Sequence, residues 1–405
     1  MVGGSSRGSL HGRTPLADRG FIKAVALLWL AGTGLRLTIL AVPPIVPIIA
    51  QDLQLPATGV GLLVSSPVVL FSLAAIPGSL LIARLGAFPT VVAGLLVVAI
   101  GGALRGLAPT ALPLYIATMI MGAGVAVMQP AMPSLVRQWL PRRVGFGTAV
   151  YTNGLLAGEV LPVLLTIPFV MPLVGADWRM ALVIWSIPVA ATALLVGVFG
   201  QRTTVTASEG PQVPRRWWPD WKDPLIWQLA ALMGSINSMY FAANAFLPGY
   251  LESVGRPDLT SSALTALNFG QIPASFALLA VASRLERQSW PFIAIGLASV
   301  VCLGGMVFTS GEWIVLWTGL YGLIGAGALI LALTLPPLLC PPEDVARTAA
   351  AMFTVSYTAA VVISTVSGAV WDLTGIPALA FGPIALCALV LAGAALNLRM
   401  TKRLL

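Results

Sequence analysis

The chain is built around apolar stretches of roughly 20 residues or more, the length a helix needs to cross the hydrocarbon of a bilayer. They fall near 24–50, 58–82, 89–108, 111–136, 146–172 and 180–200, and again near 225–251, 259–282, 291–309, 313–338, 348–371 and 377–398. None alternates polar and apolar residues in the manner of a membrane barrel. Within lipid, every backbone N–H and C=O must find its partner inside the segment, which leaves helices. Composition agrees, since only 9% of the residues are charged, against roughly 25% in soluble domains. The sequence therefore predicts an all-α integral membrane protein with twelve spans, numbered here 1 to 12 in chain order.

The formal net charge of +8 carries information through its placement. With the N-terminus inside, 18 of the 22 basic residues fall in inside segments, among them Lys23, Arg84, Arg137, Arg142, Arg143, Lys222, Arg284 and Arg347. Outside segments keep Arg105, Arg179 and Arg256, and Arg36 lies within span 1. Retention of basic loops on the cytoplasmic side explains the asymmetry. It places both termini in the cytoplasm and the protein in the inner cell membrane, and it leaves no need for a nucleic-acid partner. The apolar run after the basic N-terminal tail is too long for a signal peptide and lacks a small-residue cleavage site. Cys302, Cys340 and Cys387 are scattered, and the one histidine, His11, sits in the tail. No metal or cofactor is expected from such a pattern.

The longest polar interruption divides the chain. The organisation predicted is a tail at 1–23, a six-helix bundle at 24–200, a cytoplasmic linker at 201–224, a second bundle at 225–398 and a tail at 399–405. Internal similarity supports the division. Gly122-Ala123-Gly124 with Pro133 matches Gly325-Ala326-Gly327 with Pro336. Tyr151-Thr152 matches Phe353-Thr354, Pro47 matches Pro248, and Ala83-Arg84-Leu85 matches Ser283-Arg284-Leu285. The offsets are nearly constant at about 200 residues, as expected of two parallel repeats that rock about a midplane cavity.

These residues carry a resemblance to the major facilitator superfamily over essentially the whole chain. The superfamily's loop motif after span 2, G-x-x-x-D-R-x-G-R-R, is reduced here to Arg84 and Gly86, with Ala83 at the acidic position. Within the superfamily the first half resembles the cyanate and 2-nitroimidazole permease branch. The matching stretches are Leu35-Arg36 with Pro43-Pro44-Ile45-Val46-Pro47, Gly101-Gly102-Ala103-Leu104-Arg105, and Gly122 through Ser134. Glu159 departs from the small, glycine-rich stretch of those relatives. The resemblance implies a pair of pseudo-symmetric six-helix bundles, alternating access and a monomer.

Polar residues within the spans mark the candidate site, because a charge at the bilayer centre costs about 2.5–3.5 kcal/mol on insertion scales. Arg36 lies too deep in span 1 to reach water easily. It reads either as a fixed positive centre for an anion or as the structural partner of Glu159. Arginine suits the first role because its fork stays charged and grips an oxyanion with two parallel hydrogen bonds. Glu159, equally deep in span 5, reads as a proton-coupling site or as one side of a permanent ion pair. Arg105 is expected near the outer interface, its head reaching water or headgroups; its place in the stretch that carries the resemblance implies, as the alternative, a role in helix packing or in attracting anions at the entrance.

The repeat offset puts Asn237 opposite Arg36, with Tyr240 and Asn244 on the same face of span 7. Asn268 and Gln271 on span 8, Gln129, Tyr151 and Asn153 in the first half, and Tyr357 on span 11 complete the candidate substrate-binding set. Gln129 stands out because Pro130 beside it weakens the helix. Gly154 and Gly158 have the spacing that lets helices approach closely. Trp29, Trp139, Trp178, Trp290 and Trp313 lie near span ends and read as interface anchors.

The function predicted is secondary transport of a small anion, cyanate-like, nitrate-like or a small organic acid, with proton-coupled uptake. The alternative is export of neutral, drug-like compounds of the nitroimidazole kind. A membrane enzyme would need paired acids, a nucleophile–base arrangement or metal ligands, and the spans offer one glutamate and no histidine. There is no phosphate-binding G-x-x-x-x-G-K-[ST] loop for an ATP-driven pump.

Overall fold

The computed structural model describes residues 15–201, 216–285 and 287–397. His11, most of the linker and the 399–405 tail lie outside the described residues. The helices follow the predicted spans, and the first begins at Pro15, inside the stretch read as tail. Among the described residues, eleven helices are long and apolar enough to cross a membrane. The twelfth, Pro224–Ser253, is also long enough, but Ser235, Asn237, Ser238, Tyr240 and Asn244 dilute its hydropathy. Spans 2 and 3, Ala57–Leu85 and Ala87–Gly106, are joined by Gly86 alone. Its φ of +93° makes the reversal, a conformation that side chains with a Cβ disfavour.

The pairing of helices repeats six spans later. Span 1 packs on span 5 as span 7 packs on span 11, span 3 on span 4 as 9 on 10, span 3 on span 6 as 9 on 12, and span 2 on span 4 as 8 on 10. Contacts between the halves obey the same relation, span 2 against span 11 and span 5 against span 8. The fold is therefore two six-helix bundles related by pseudo-symmetry.

Small residues set how closely span 1 and span 5 approach. A Cβ at Gly154 would overlap the Trp29 carbonyl oxygen, and one at Gly158 the Thr33 carbonyl oxygen. This contact carries Arg36 and Glu159 on facing helices. The tryptophans divide: Trp290 and Trp313 are exposed as anchors should be, whereas Trp139 and Trp178 are buried. Trp29 donates to Asn153 within the bundle. Being near a span end does not decide which side of the helix meets lipid.

At the end carrying the linker the halves close on each other. The second segment of span 4 packs on spans 10 and 11, and Arg137 Nη1 donates to the Cys340 carbonyl. Ser79 Oγ donates to the Trp217 carbonyl (2.6 Å) and Arg347 Nη1 to that of Trp218 (3.4 Å), fastening the linker beneath the closure. Arg84 is exposed and forms no ion pair among the described residues.

Candidate substrate cavity

Spans 1, 4 and 8 are interrupted where they meet the space between the bundles. Span 1 breaks at Leu35–Arg36, between helices Pro15–Gly34 and Leu37–Leu40, with tight bonds Leu35 N–H to Gly32 O (3.0 Å) and Arg36 N–H to Thr33 O (3.1 Å). Span 4 breaks at Gln129–Pro130, between Ala111–Met128 and Ala131–Trp139, since proline supplies no N–H and obstructs the preceding turn. Span 8 breaks at Gly270, between Thr260–Phe269 and Gln271–Leu285. Irregular backbone is tolerated at membrane depth where it is buried in protein or lines a cavity. Arg36, Gln129 and Gln271 stand at these breaks, and all three line one cavity of about 210 Å³. Its wall reaches Pro43 and Val64 toward the face opposite the linker.

Arg36 is the hub. Its Nε lies 3.2 Å from Glu159 Oε1, and the two side chains are 12% and 17% exposed. This is a charge contact without hydrogen-bond alignment, so the Nε–H remains unpartnered. Nη2 donates to the Tyr357 hydroxyl at 3.3 Å, which also accepts from Gln129 Nε2 at 2.9 Å. The guanidinium carbon sits 5.2 Å from the centre of the Phe71 ring, and Tyr357 is ringed by Phe71, Phe241 and Phe353. A cation so placed gains from the aromatic faces and keeps donors to spare.

Arg105 is placed otherwise than expected. It is 2% exposed and lines the cavity, with Nη1 donating to the Thr38 carbonyl (2.9 Å) and the Met121 sulfur (3.1 Å). The short helix Leu37–Leu40 ends before it can use the Thr38 carbonyl, since Val42 N–H bonds Ile39 O instead (3.4 Å). The charged side chains of the lining are Arg36, Arg105 and Glu159, which leaves one positive charge in excess when all are ionised.

Of the other expected residues, Gln129, Tyr151, Asn237, Tyr240, Gln271 and Tyr357 line the same cavity. Gln129 Oε1, the Tyr151 hydroxyl and Gln271 Nε2 are buried without a partner in hydrogen-bond geometry. Asn237 Nδ2 donates to Ser356 Oγ (2.7 Å). Asn153, Asn244 and Asn268 stand outside the lining, because neighbouring helices occupy them. Asn153 accepts from Trp29 Nε1 (2.9 Å) and donates to Ser275 Oγ (2.8 Å), tying spans 1, 5 and 8. Asn268 accepts from the Tyr240 hydroxyl (2.7 Å) and donates to Asn244 Oδ1 (3.0 Å), while Asn244 Nδ2 bonds the Tyr240 carbonyl (2.9 Å). These three are interhelical fasteners of the kind polar residues supply in membranes. Met233 and Met239 also line the cavity and read from sequence as ordinary apolar residues, as does Phe353, named there only as the repeat counterpart of Tyr151.

Comparison with known proteins agrees with this architecture. The chain is 26% identical over 310 residues to the cyanate transport protein CynX of Escherichia coli (strain K12), covering 76% of this chain and 79% of that one. It is 25% identical over 323 residues to the 2-nitroimidazole transporter of the same organism, covering 79% and 81%. The solved structure of FucP in the outward conformation superposes with a TM-score of 0.75 over 93% of this chain and 99% of that chain, at 17% identity. Residues 28–365 match the family model of the Major Facilitator Superfamily; the chain is a membrane transporter belonging to that superfamily.

Proposed function

We propose that the protein carries a small anion across the inner membrane by alternating access, in symport with protons and as a monomer. The carrying observation is Arg36: a largely buried arginine whose single carboxylate partner is misaligned and whose Nε–H is unpartnered. The Tyr151 hydroxyl and Gln271 Nε2 add two unpaired donors to the same wall. Leaving such groups unpaired costs about 1–3 kcal/mol each, which an acceptor-rich anion recovers on binding. A cavity of about 210 Å³ falls below the roughly 300–1,000 Å³ of pockets for drug-sized ligands, in favour of a small substrate. The cyanate transporter among the relatives supports the same class.

In this account the linker face is cytoplasmic, as the basic-residue asymmetry indicates, and the cavity is closed from that side. The anion takes the place of Glu159 beside Arg36. Glu159, deprived of its cation, accepts a proton, and the neutralised pair with its cargo crosses as the bundles rock. Arg36 and Gln129 in the first bundle both hold Tyr357 in the second, so loading at Arg36 bears directly on the contact between halves.

A second reading is favoured by the aromatic faces of Phe71, Phe241, Phe353 and Tyr357: export of a flat nitro-bearing ring, stacked there with its nitro group on Arg36. Proteoliposomes containing purified protein and loaded with pH-sensitive dye separate the two. Inward flux of radiolabelled cyanate or thiocyanate, driven by an external acid pulse and abolished in Arg36→Ala, is the expected result. Transport of 2-nitroimidazole with no anion flux overturns the anion reading and leaves the second.

A further inference from the structure

Arg105 occupies the last turn of span 3, Ala87–Gly106, a position from which an arginine ordinarily reaches out to water. Here the flanking sequence sinks it. A Cβ at Gly101 would overlap the backbone of Met121 on span 4, and one at Gly106 the Arg179 carbonyl on span 6. The glycines thus bring span 3 against both neighbours and enclose the side chain between them. The guanidinium retains two weakly competing acceptors on Nη1, a carbonyl and a thioether. Its Nε–H is buried and unpartnered, and no hydrogen bond among the described residues engages Nη2. It forms no ion pair among the described residues. Uncompensated charge in this environment is expensive and marks function more often than packing.

We propose that Arg105 is a second anion-binding station, placed in the cavity on the approach to Arg36. The proposal rests on the anion reading above and extends it to a residue that reading does not use. Position supports the order of contact. Arg105 lies at the end of span 3 away from the linker, whereas Arg36 lies at the break in span 1, and both line the one cavity. The Thr38 carbonyl that holds Arg105 is two residues from Arg36 in the same interrupted segment. An anion released by one guanidinium is therefore delivered beside the other. Arginine offers donors only, so the station selects small monoanions that present acceptor atoms, linear or planar in the manner of cyanate and nitrate. It gives a neutral ring no comparable hold.

The test is the midpoint of thermal unfolding of purified protein titrated with potassium thiocyanate or nitrate, at ionic strength held constant with gluconate. Wild type, Arg105→Gln and Arg105→Lys are compared. The station predicts a half-saturating anion concentration about tenfold or more higher in Arg105→Gln, the loss of one charge-assisted hydrogen bond, and a smaller but clear rise in Arg105→Lys, which keeps the charge and loses the planar fork. A structural role lowers the anion-free midpoint and leaves the half-saturating concentration where it was; that result in either variant overturns the station and leaves Arg36 intact. If Arg105→Gln does not fold, Arg105→Lys alone decides, because exchange of the planar fork for a point charge shifts the anion dependence only if the anion is held there. Absence of any anion effect on the wild type removes the anion reading, and the station with it.

Discussion

Replacing Glu159 by glutamine separates competition at Arg36 from simple structural pairing. In the account above, Glu159 and the substrate contend for one guanidinium, so the carboxylate weakens binding while it is ionised. Its Oε1 lies 3.2 Å from Arg36 Nε. An anion that takes its place on the guanidinium stands about 6 Å from the displaced carboxylate, where like charges repel by about 2.8 kcal/mol at an effective dielectric of about 20. This corresponds to about a hundredfold in affinity. The side chains keep 12% and 17% exposure, and water in the cavity screens part of the repulsion, which lowers the expectation to between about tenfold and a hundredfold. Isothermal titration of thiocyanate into purified Glu159→Gln at fixed neutral pH should therefore show tighter binding than wild type. In proteoliposomes the same variant should exchange anion across the membrane while losing its response to an imposed pH gradient. A folded Glu159→Gln that binds anion equally or more weakly refutes the competition.

Arg36→Ala should cost about 3 kcal/mol of stability, the low end for breaking a buried pair, and Arg36→Ala/Glu159→Gln should recover most of it; unfolding midpoints that rank the double variant no higher contradict the pairing. Gly158→Leu should sharply lower folded yield, because its side chain meets the Thr33 backbone, whereas Gly325→Leu should fold, its Cβ having open space, yet block anion binding by filling the cavity wall. Size-exclusion recovery and anion titration of the two variants check this contrast. Arg137→Ala removes the tether to the Cys340 carbonyl and should speed maleimide labelling of Cys340 from the linker side in a Cys302→Ser/Cys387→Ser background. An unchanged rate would show that the tether does not close that face.

Hydropathy and charge placement made the twelve spans legible, and the near-constant offset between Pro47 and Pro248 or Gly122 and Gly325 made the two halves legible. Both signals depend on residue type alone. Gly154 and Gly158 predicted a close helix contact, and the structure shows which carbonyl oxygens occupy the space. The proximity of Arg36 and Glu159 was readable from the cost of burying either by itself. Asn153, Asn244 and Asn268 were harder, because helical periodicity gives a residue's face but not which helix lies against it. Arg105 was read as interfacial from its distance along span 3. Its burial depends on two glycines contacting spans 4 and 6 and on a carbonyl of span 1 left available where a short helix ends, and no local pattern contains all of these. The breaks differ in the same way: Pro130 announces the one in span 4, while those at Leu35–Arg36 and Gly270 have no proline at the break itself.

The central claim is that an anion rests on Arg36 between the bundles. The most direct measurement is a crystal structure with selenocyanate, locating selenium by its anomalous scattering in wild type and in Arg36→Ala. The account predicts a peak in the cavity against the Arg36 guanidinium that disappears in the variant. Selenium found only elsewhere, or a cavity peak unaffected by loss of Arg36, contradicts it.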